Sequence, residues 1–169
     1  DLLRDEHLQG QRRARRHRLT VTAVSHPRID PETGICTYFT AGQCSSCSLM
    51  RTPHDVQIRE AHAHLKNLLR EATTPETTFD DPLTSAPWGF RTKAKMMVRG
   101  TAAAPTFSFP GTHAGVDLAD CPLYPALVTE VLESARALIR RAQVPPYNLE
   151  KRKGEIKYVL VTASSTEAM

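Results

Sequence analysis

The chain has 169 residues, of which 40% are hydrophobic and 6% aromatic, and its formal net charge is +4. This length predicts one domain with tails, and no apolar run approaches the ~18 residues that a membrane-spanning helix needs. The arginine-rich N-terminal segment has no apolar stretch after it, so no secretory signal is predicted and we expect a cytoplasmic protein without membrane contact.

The first predicted feature is a basic segment. Residues 1–18 contain six arginines against three acids, and residues 11–18 are an almost continuous basic run. This composition predicts a solvated, disordered arm, with a nucleic-acid-binding arm as the alternative. We therefore assign residues 1–30 to a basic extension, in which residues 19–24 are apolar enough for one short strand.

All four cysteines lie in two places, three of them in a short loop at Cys36, Cys44 and Cys47, and the fourth in a Cys121-Pro122 dipeptide. Without a secretory signal, four cysteines indicate metal-binding or catalytic thiols more than disulfides. A zinc ribbon shows two Cys-x2-Cys pairs, whereas this chain has one. Proline after the last ligand is typical of iron–sulfur sequences. The spacing therefore favours an iron–sulfur cluster, and leaves zinc and unrelated thiols as alternatives.

The distance along the chain does not exclude Cys121 from this site. It lies 74 positions after Cys47, and closing that loop costs about 1.8 kcal/mol more than closing a ten-residue loop. A structural metal site supplies on the order of 10 kcal/mol. A metal centre can therefore hold the two parts of the chain together.

A helix is predicted after the cysteine loop, with Thr52 as its N-cap and Pro53 as its first residue. Its apolar residues recur at helical spacing from Ile58 to Ala72, and residues 73–87 are predicted to be a loop. The cysteine loop and this helix together define a second segment, residues 31–87, which we expect to pack on a β domain.

The stretch from Trp88 to Gly100 alternates as a strand does. One face holds Phe90, Ala94, Met96 and Val98, and the other holds Arg91, Lys93, Lys95 and Arg99. Like charges on one strand face repel each other, so a structural strand usually mixes signs. The uninterrupted basic face therefore favours binding of a polyanion over an ordinary solvated surface.

The remaining elements are two short strands, a helix and a final strand. The strands are predicted at residues 106–110 and 113–118, the helix at about residues 125–143, and the last strand at residues 156–162. Further basic residues precede that strand, at Lys151, Arg152, Lys153 and Lys157. We predict an α+β fold in which residues 88–169 form a central antiparallel β domain that also supplies Cys121.

Several motifs in one order resemble a known family. These are Cys36-x7-Cys44-x2-Cys47, Trp88-Gly89-Phe90-Arg91-x-Lys93-Ala94-Lys95-Met96, Asp120-Cys121-Pro122-Leu123-Tyr124-Pro125, Pro146-Tyr147-Asn148 and Gly154-Glu155-Ile156-Lys157-Tyr158. Together they resemble the N-terminal part of the bacterial 23S rRNA (uracil-C5)-methyltransferases, most closely the branch named for uracil 747. The resemblance runs from about Cys36 to Met169, and the basic segment before it has no counterpart.

The resemblance implies a [4Fe-4S] cluster on Cys36, Cys44, Cys47 and Cys121. It also implies contact with 23S rRNA, for which the candidate residues are Arg91, Lys93, Lys95, Arg99 and Lys153. Enzymes of this family continue into a Rossmann-like domain that binds S-adenosylmethionine and carries the catalytic cysteine. None of those motifs is in this sequence, so we expect an N-terminal fragment, truncated before that domain, with no catalytic or S-adenosylmethionine-binding residue of its own.

One alternative from a different class is a non-enzymatic module, in which four cysteines bind a metal and the domain holds RNA or a protein. The metal and the sequence downstream of Met169 distinguish the two hypotheses.

Overall fold

Strand β1 (Lys93–Gly100) is the centre of the sheet in the computed structural model, which describes residues 26–110, 112 and 115–169. It pairs antiparallel with β2 (Pro105–Ser108) on one side and β3 (Tyr158–Thr162) on the other. The helices are α1 (Thr37–Thr40), α2 (His54–Leu68) and α3 (Ala126–Ala142), with a single 3-10 turn at Arg70–Ala72. This arrangement confirms the predicted α+β class with an antiparallel sheet.

The core lies between one face of the sheet and α3. Ala94, Met96 and Val98 alternate along β1 and are all buried, as the strand pattern predicts. Across from them, α3 contributes its buried residues Val128, Leu132 and Ile139, and the flanking strands contribute Phe107 and Val161. Burial of these side chains stabilises the fold by roughly 1.5 to 3 kcal/mol for each large residue.

Helix α3 follows its predicted bounds to within a residue. It begins after Pro125 and ends at Ala142, and the C-cap residue Gln143 takes the left-handed conformation with φ of 52°. Arg140 and Arg141 lie in its last turn, where positive charge complements the helix dipole. The apolar periodicity that predicts α3 includes Leu138, whose side chain is nevertheless 55% exposed.

Three other predictions are wrong in detail. Helix α2 has no buried residue, and Leu68 on its apolar stripe is 65% exposed, so the helix does not pack on the sheet as predicted. Its N-cap is Pro53 instead of Thr52. Phe90 is exposed because β1 begins only at Lys93. The loop at residues 73–87 contains no helix or strand, as predicted.

The predicted strand at residues 113–118 is also wrong over its described part, residues 115–118, which form no strand. Asp117 explains the irregular path, because its carboxylate accepts hydrogen bonds from the backbone N–H groups of Phe107 (3.1 Å) and Ala119 (3.3 Å). The segment is thus attached to β2 by a side chain and by the Leu118 N–H, which donates to the Phe107 carbonyl at 2.7 Å.

The basic residues 11–18 and the predicted strand at 19–24 lie outside the described residues. None of the described helices combines the length and the apolar character that crossing a membrane requires.

Arg136 connects α3 to the sheet through several contacts. Its guanidinium forms ion pairs with Asp117 (2.7 Å) and Glu133 (2.9 Å) and donates to the Pro105 carbonyl at 2.5 Å. It also lies over the Phe107 ring, 4.8 Å from the centroid. Because its side chain is only 17% exposed, this charge depends on its partners.

We predict that Arg136→Leu lowers the free energy of unfolding by about 3 kcal/mol, because it leaves the Asp117 carboxylate without its cation. Arg59→Leu is the matched control, since Arg59 pairs with Asp55 on α2 where both side chains are about two-thirds exposed. That exposed pair contributes less than about 0.5 kcal/mol. Urea unfolding measures both variants, and equal losses would contradict the assigned role of Arg136.

Candidate metal centre and nucleic-acid interface

The four cysteines line one pocket, although Cys121 lies 74 positions after Cys47 in the sequence. Cys36 is the N-cap of α1, and Cys44 and Cys47 lie in the irregular loop that follows. Cys121 lies in the turn before α3. Cys36 and Cys121 are buried, whereas Cys44 and Cys47 are half-buried. The fold therefore brings together the four residues that the sequence predicted as a set.

The sulfur atoms are not arranged for a single ion. Among the described residues, no group of three or more His, Cys, Asp or Glu side chains is close enough to hold one metal ion. A tetrahedral zinc site with Zn–S bonds of about 2.3 Å requires sulfurs about 3.8 Å apart. The cysteines thus share a cavity without meeting at one point, and the prediction of a metal centre here stays a prediction.

The thiols are close enough to influence one another. The pKa of Cys121 is raised to about 11, chiefly by burial. A hydrogen bond from the Leu123 backbone lowers this pKa, and the charges of Cys36, Cys47 and Cys44 raise it. Burial also raises the pKa of Cys47, followed by the effect of Cys44 and Cys36, while Arg91 opposes it. A metal that binds Cys47 and Cys121 must therefore displace protons whose loss burial makes harder.

Arg91 belongs to this pocket and not to the basic strand face on which the sequence placed it. Its backbone N–H donates to the Leu123 carbonyl at 2.8 Å, and the Gly89 N–H donates to the Pro122 carbonyl at 2.9 Å. These two bonds hold the segment before β1 against the segment that carries Cys121. They place the Arg91 guanidinium near the cysteines.

A side-chain network, here called the Asp120 brace, joins the two halves of the pocket. The Asp120 carboxylate accepts hydrogen bonds from the Tyr38 hydroxyl and from Nε of Arg28, the latter at 2.7 Å. The Arg28 guanidinium also lies 4.6 Å from the centroid of the Tyr38 ring. Asp120 precedes Cys121, and Tyr38 follows Cys36 by two residues, so the brace fixes both cysteines without a metal.

Sequence reasoning gave no role to the three residues of the brace. The available signal was the position of Asp120 beside Cys121, but nothing in the sequence identifies Arg28 and Tyr38 as its partners. Burial raises the pKa of Tyr38, and the hydrogen bond to Asp120 raises it further, so the phenol stays neutral and can donate.

The cysteine loop depends on backbone geometry at one glycine. Gly42 has φ of +67°, a left-handed conformation that side chains disfavour. A Cβ atom there would meet no atom within 4 Å. Gly42 is therefore required for its conformation. The turn is closed by the N–H groups of Gln43 and Cys44, which both donate to the Tyr38 carbonyl.

The predicted basic face exists over β1 itself. Lys93 and Lys95 are exposed and Arg99 is half-buried, on the face opposite the core. Lys95 pairs across the sheet with Leu160, and its Nζ lies 4.9 Å from the centroid of the Tyr158 ring. None of the three strands contains an acidic residue. This face can therefore attract a polyanion and offers aromatic and aliphatic surface beside the charges.

Lys153 lies apart from that face. It is exposed in the segment between α3 and β3. Its backbone N–H donates to the Asn148 carbonyl, and its carbonyl accepts from the Asn148 N–H. The five residues predicted to contact RNA are thus divided among three places: the cysteine pocket for Arg91, the sheet for Lys93, Lys95 and Arg99, and this segment for Lys153.

Comparison with known proteins finds close similarity to methyltransferases. The chain is 40% identical over 132 residues to the 23S rRNA (uracil(747)-C(5))-methyltransferase of Pasteurella multocida, an alignment that covers 78% of the chain and 34% of the relative. The enzymes of the same name from Shewanella amazonensis and Xenorhabdus nematophila are each 42% identical, over 77% and 76% of the chain and 34% of each relative. No protein-family model matches the chain.

These alignments confirm the resemblance to bacterial 23S rRNA (uracil-C5)-methyltransferases that the cysteine and aromatic motifs indicate. The chain spans about a third of the length of these relatives.

We predict that Asp120→Asn lowers the free energy of unfolding of the metal-free chain by about 1 to 2 kcal/mol. The amide keeps the shape of the side chain but loses the charge that accepts from Arg28 and Tyr38, and partial exposure of the pair reduces the loss. Asp55→Asn, at an ion pair in which both side chains are mostly exposed, is the control. Urea unfolding under reducing conditions compares the two, and an Asp120 variant no weaker than the control would show that the brace is not stabilising.

Proposed function

We propose, from the homology of this chain to 23S rRNA (uracil(747)-C(5))-methyltransferases, that it is the iron–sulfur and RNA-binding portion of such an enzyme. The observation that carries this proposal is the shared pocket of Cys36, Cys44, Cys47 and Cys121 in a chain about 40% identical to those enzymes. In the longer protein, we propose methyl transfer from S-adenosylmethionine to C5 of a uracil in 23S rRNA, in the cytoplasm.

The proposed segments follow from this assignment. Residues 1–30 form an extension, residues 31–87 carry three of the cysteines, and residues 88–169 provide the sheet, α3 and Cys121. The last two segments meet at the cysteine pocket and at the hydrogen bond from Tyr38 to Asp120, and Arg28 of the first segment joins the same Asp120 brace. The proposed centre therefore connects the cysteine loop to the surface that binds RNA.

The donor set fits an iron–sulfur cluster. All four candidate ligands are thiols, which soft metals and iron–sulfur clusters prefer. They line a common cavity, and the described residues contain no group of three or more ligands gathered as a site for a single ion. A [4Fe-4S] cluster takes one thiolate at each of four separate irons, so its ligands do not converge on a point.

Arg91 supports the same assignment. Four thiolates bring four negative charges into a half-buried site, and Arg91 supplies a cation among the residues that line it. We propose that Arg91 offsets this charge and contributes to holding the centre, and that its role in RNA contact is secondary to Lys93, Lys95 and Arg99. All four cysteines are then assigned to the centre, and none is left as a catalytic nucleophile within this chain.

Replacing Cys121 tests the centre directly. We predict that Cys121→Ser removes the brown colour of the anaerobically purified chain and lowers its thermal stability, because one ligand and the link between the two segments are lost together. Ser46→Ala is the control, since Ser46 lines the same pocket but cannot replace a thiolate. A Cys121 variant that kept its full iron content would contradict the ligand assignment.

RNA binding is tested by its dependence on salt. Removing two phosphate contacts with Lys93→Ala and Lys95→Ala should reduce the slope of log affinity against log salt concentration by about 1.4 for single-stranded RNA. The double variant Arg140→Ala and Arg141→Ala makes the same change in net charge at the end of α3, away from the sheet face. If both double variants changed the slope equally, the sheet face would have no special part in binding.

A further inference from the structure

A second cavity lies at the far end of β1, away from the cysteines. Its volume is about 430 Å³, within the range of sites that hold small ligands. Cations, aromatic rings and an amide are among the groups that line it. They belong to Arg99, Tyr147, Asn148, Lys157 and Tyr158. None of the cysteines lines it, so it is separate from the proposed metal centre.

Each tyrosine at this cavity has a lysine over its ring. Nζ of Lys157 lies 4.2 Å from the centroid of the Tyr147 ring, and Nζ of Lys95 lies 4.9 Å from the centroid of the Tyr158 ring. Stacking of bases on aromatic side chains, next to cations that track phosphates, is the usual way in which proteins bind single-stranded nucleic acid. The lining therefore matches both parts of a nucleotide.

Arg99 adds a donor that lacks an acceptor among the described residues. Its Nε is buried without a hydrogen-bond partner there, and an Nη atom contacts only the sulfur of Met97, at 3.7 Å. A buried donor on a charged group is costly when it is unpaired. The Arg99 side chain is half-buried and lines the cavity, so its guanidinium charge can attract a phosphate placed there.

The wall that carries Tyr147 is held by backbone hydrogen bonds. The Tyr147 N–H donates to the Ile156 carbonyl at 2.8 Å, and the Asn148 N–H donates to the Lys153 carbonyl at 2.7 Å. Gly154, with φ of +115°, permits this close approach, because a Cβ atom there would lie 2.3 Å from the Pro146 carbonyl oxygen. The aromatic ring is thus presented by an ordered segment, which reduces the entropy lost on binding.

The amide of Asn148 can contact a base edge. Its side-chain oxygen accepts from the Lys151 N–H at 2.8 Å, which fixes the side chain and leaves its NH₂ group to donate. One acidic residue, Glu150, also lines the cavity, and its carboxylate suits the amino group of a base better than a phosphate.

We propose that this cavity binds one unstacked nucleotide of single-stranded RNA, with its base against Tyr147 or Tyr158 and its phosphate at Lys157 and Arg99. The inference rests on the proposed function and adds to it a specific site. Tyr158 connects the cavity to the face of Lys93 and Lys95, because Nζ of Lys95 lies over its ring. The neighbouring phosphates of the same RNA strand can therefore follow β1. An apolar protein segment fits less well, because burying Lys157 and Arg99 under it would leave two cations unpaired.

The test uses fluorescence anisotropy with a fluorescein-labelled single-stranded uridine oligomer of about ten nucleotides. We expect Tyr147→Ala to weaken binding about 5- to 100-fold, as loss of one stacked base does, and Tyr147→Phe to stay within about 2-fold of the wild type. The slope against salt concentration should not change in either variant, since neither removes a cation. Lys157→Gln should instead reduce that slope by about 0.7.

The control is a matched pair elsewhere in the chain. Lys66 lies over the Phe79 ring at 5.6 Å, outside the cavity, so Phe79→Ala removes a comparable aromatic residue. Tyr158→Ala is the second cavity variant, in case the first does not fold as judged by thermal melting. The proposal is overturned if the folded cavity variants bind as tightly as the wild type, or if Phe79→Ala weakens binding equally.

The binding experiment distinguishes loss of the proposed RNA-binding function from loss of the nucleotide site alone. Wild-type chain that does not bind the oligomer at all would contradict the proposed RNA-binding function, and this inference with it. Wild-type binding that depends on Lys93 and Lys95 but not on Tyr147 or Tyr158 would leave that function in place and remove only the nucleotide site.

Discussion

The contact that most of the arrangement depends on is between the Asp120–Cys121 segment and the loop that begins at Cys36. Two backbone bonds from residues 89 and 91 and the Asp120 brace place this segment, and each acts without a metal. The site is therefore largely preorganised by ordinary hydrogen bonds and burial. In this account, the proposed cluster adds stability to a geometry that the protein already favours.

Strand β1 relates the two proposed sites to each other. Arg91, two residues before the strand, lines the cysteine pocket, and Arg99, near its end, lines the second cavity. An eight-residue strand extends roughly 27 Å, and Lys93 and Lys95 occupy the surface between the two ends. A cluster that fixes the start of β1 would thus orient the whole basic face. This explains in physical terms how a structural centre could serve RNA binding without taking part in methyl transfer.

The parts of the fold that were predictable have strong local patterns. Alternation of apolar and basic residues identified β1, and the wide apolar stripe identified α3, because both patterns are enforced by burial on one side. The stripe of α2 has the same appearance but no buried residue, since periodicity cannot show whether a partner surface exists. The segment at 115–118 failed for another reason: Asp117 replaces strand pairing with side-chain bonds, which composition does not reveal.

The candidate site, like the fold, could be predicted from the sequence only in part. Four cysteines in one chain were enough to predict one pocket, because thiols in that pattern have few other uses. Arg91 was placed on the wrong surface because β1 starts at Lys93, two residues after Arg91. The partners of Asp120 and the lysines over Tyr147 and Tyr158 depend on contacts between distant segments, so no local pattern could indicate them.

The central claim is that the four cysteines hold an iron–sulfur cluster. Mössbauer spectroscopy of the chain, produced with ⁵⁷Fe and purified anaerobically, tests it most directly when combined with assays for iron, zinc and acid-labile sulfide. The account predicts iron and sulfide in equal amounts, four of each per chain, with the spectrum of a [4Fe-4S] cluster. One zinc ion per chain without sulfide, or no bound metal in a folded chain, would contradict it.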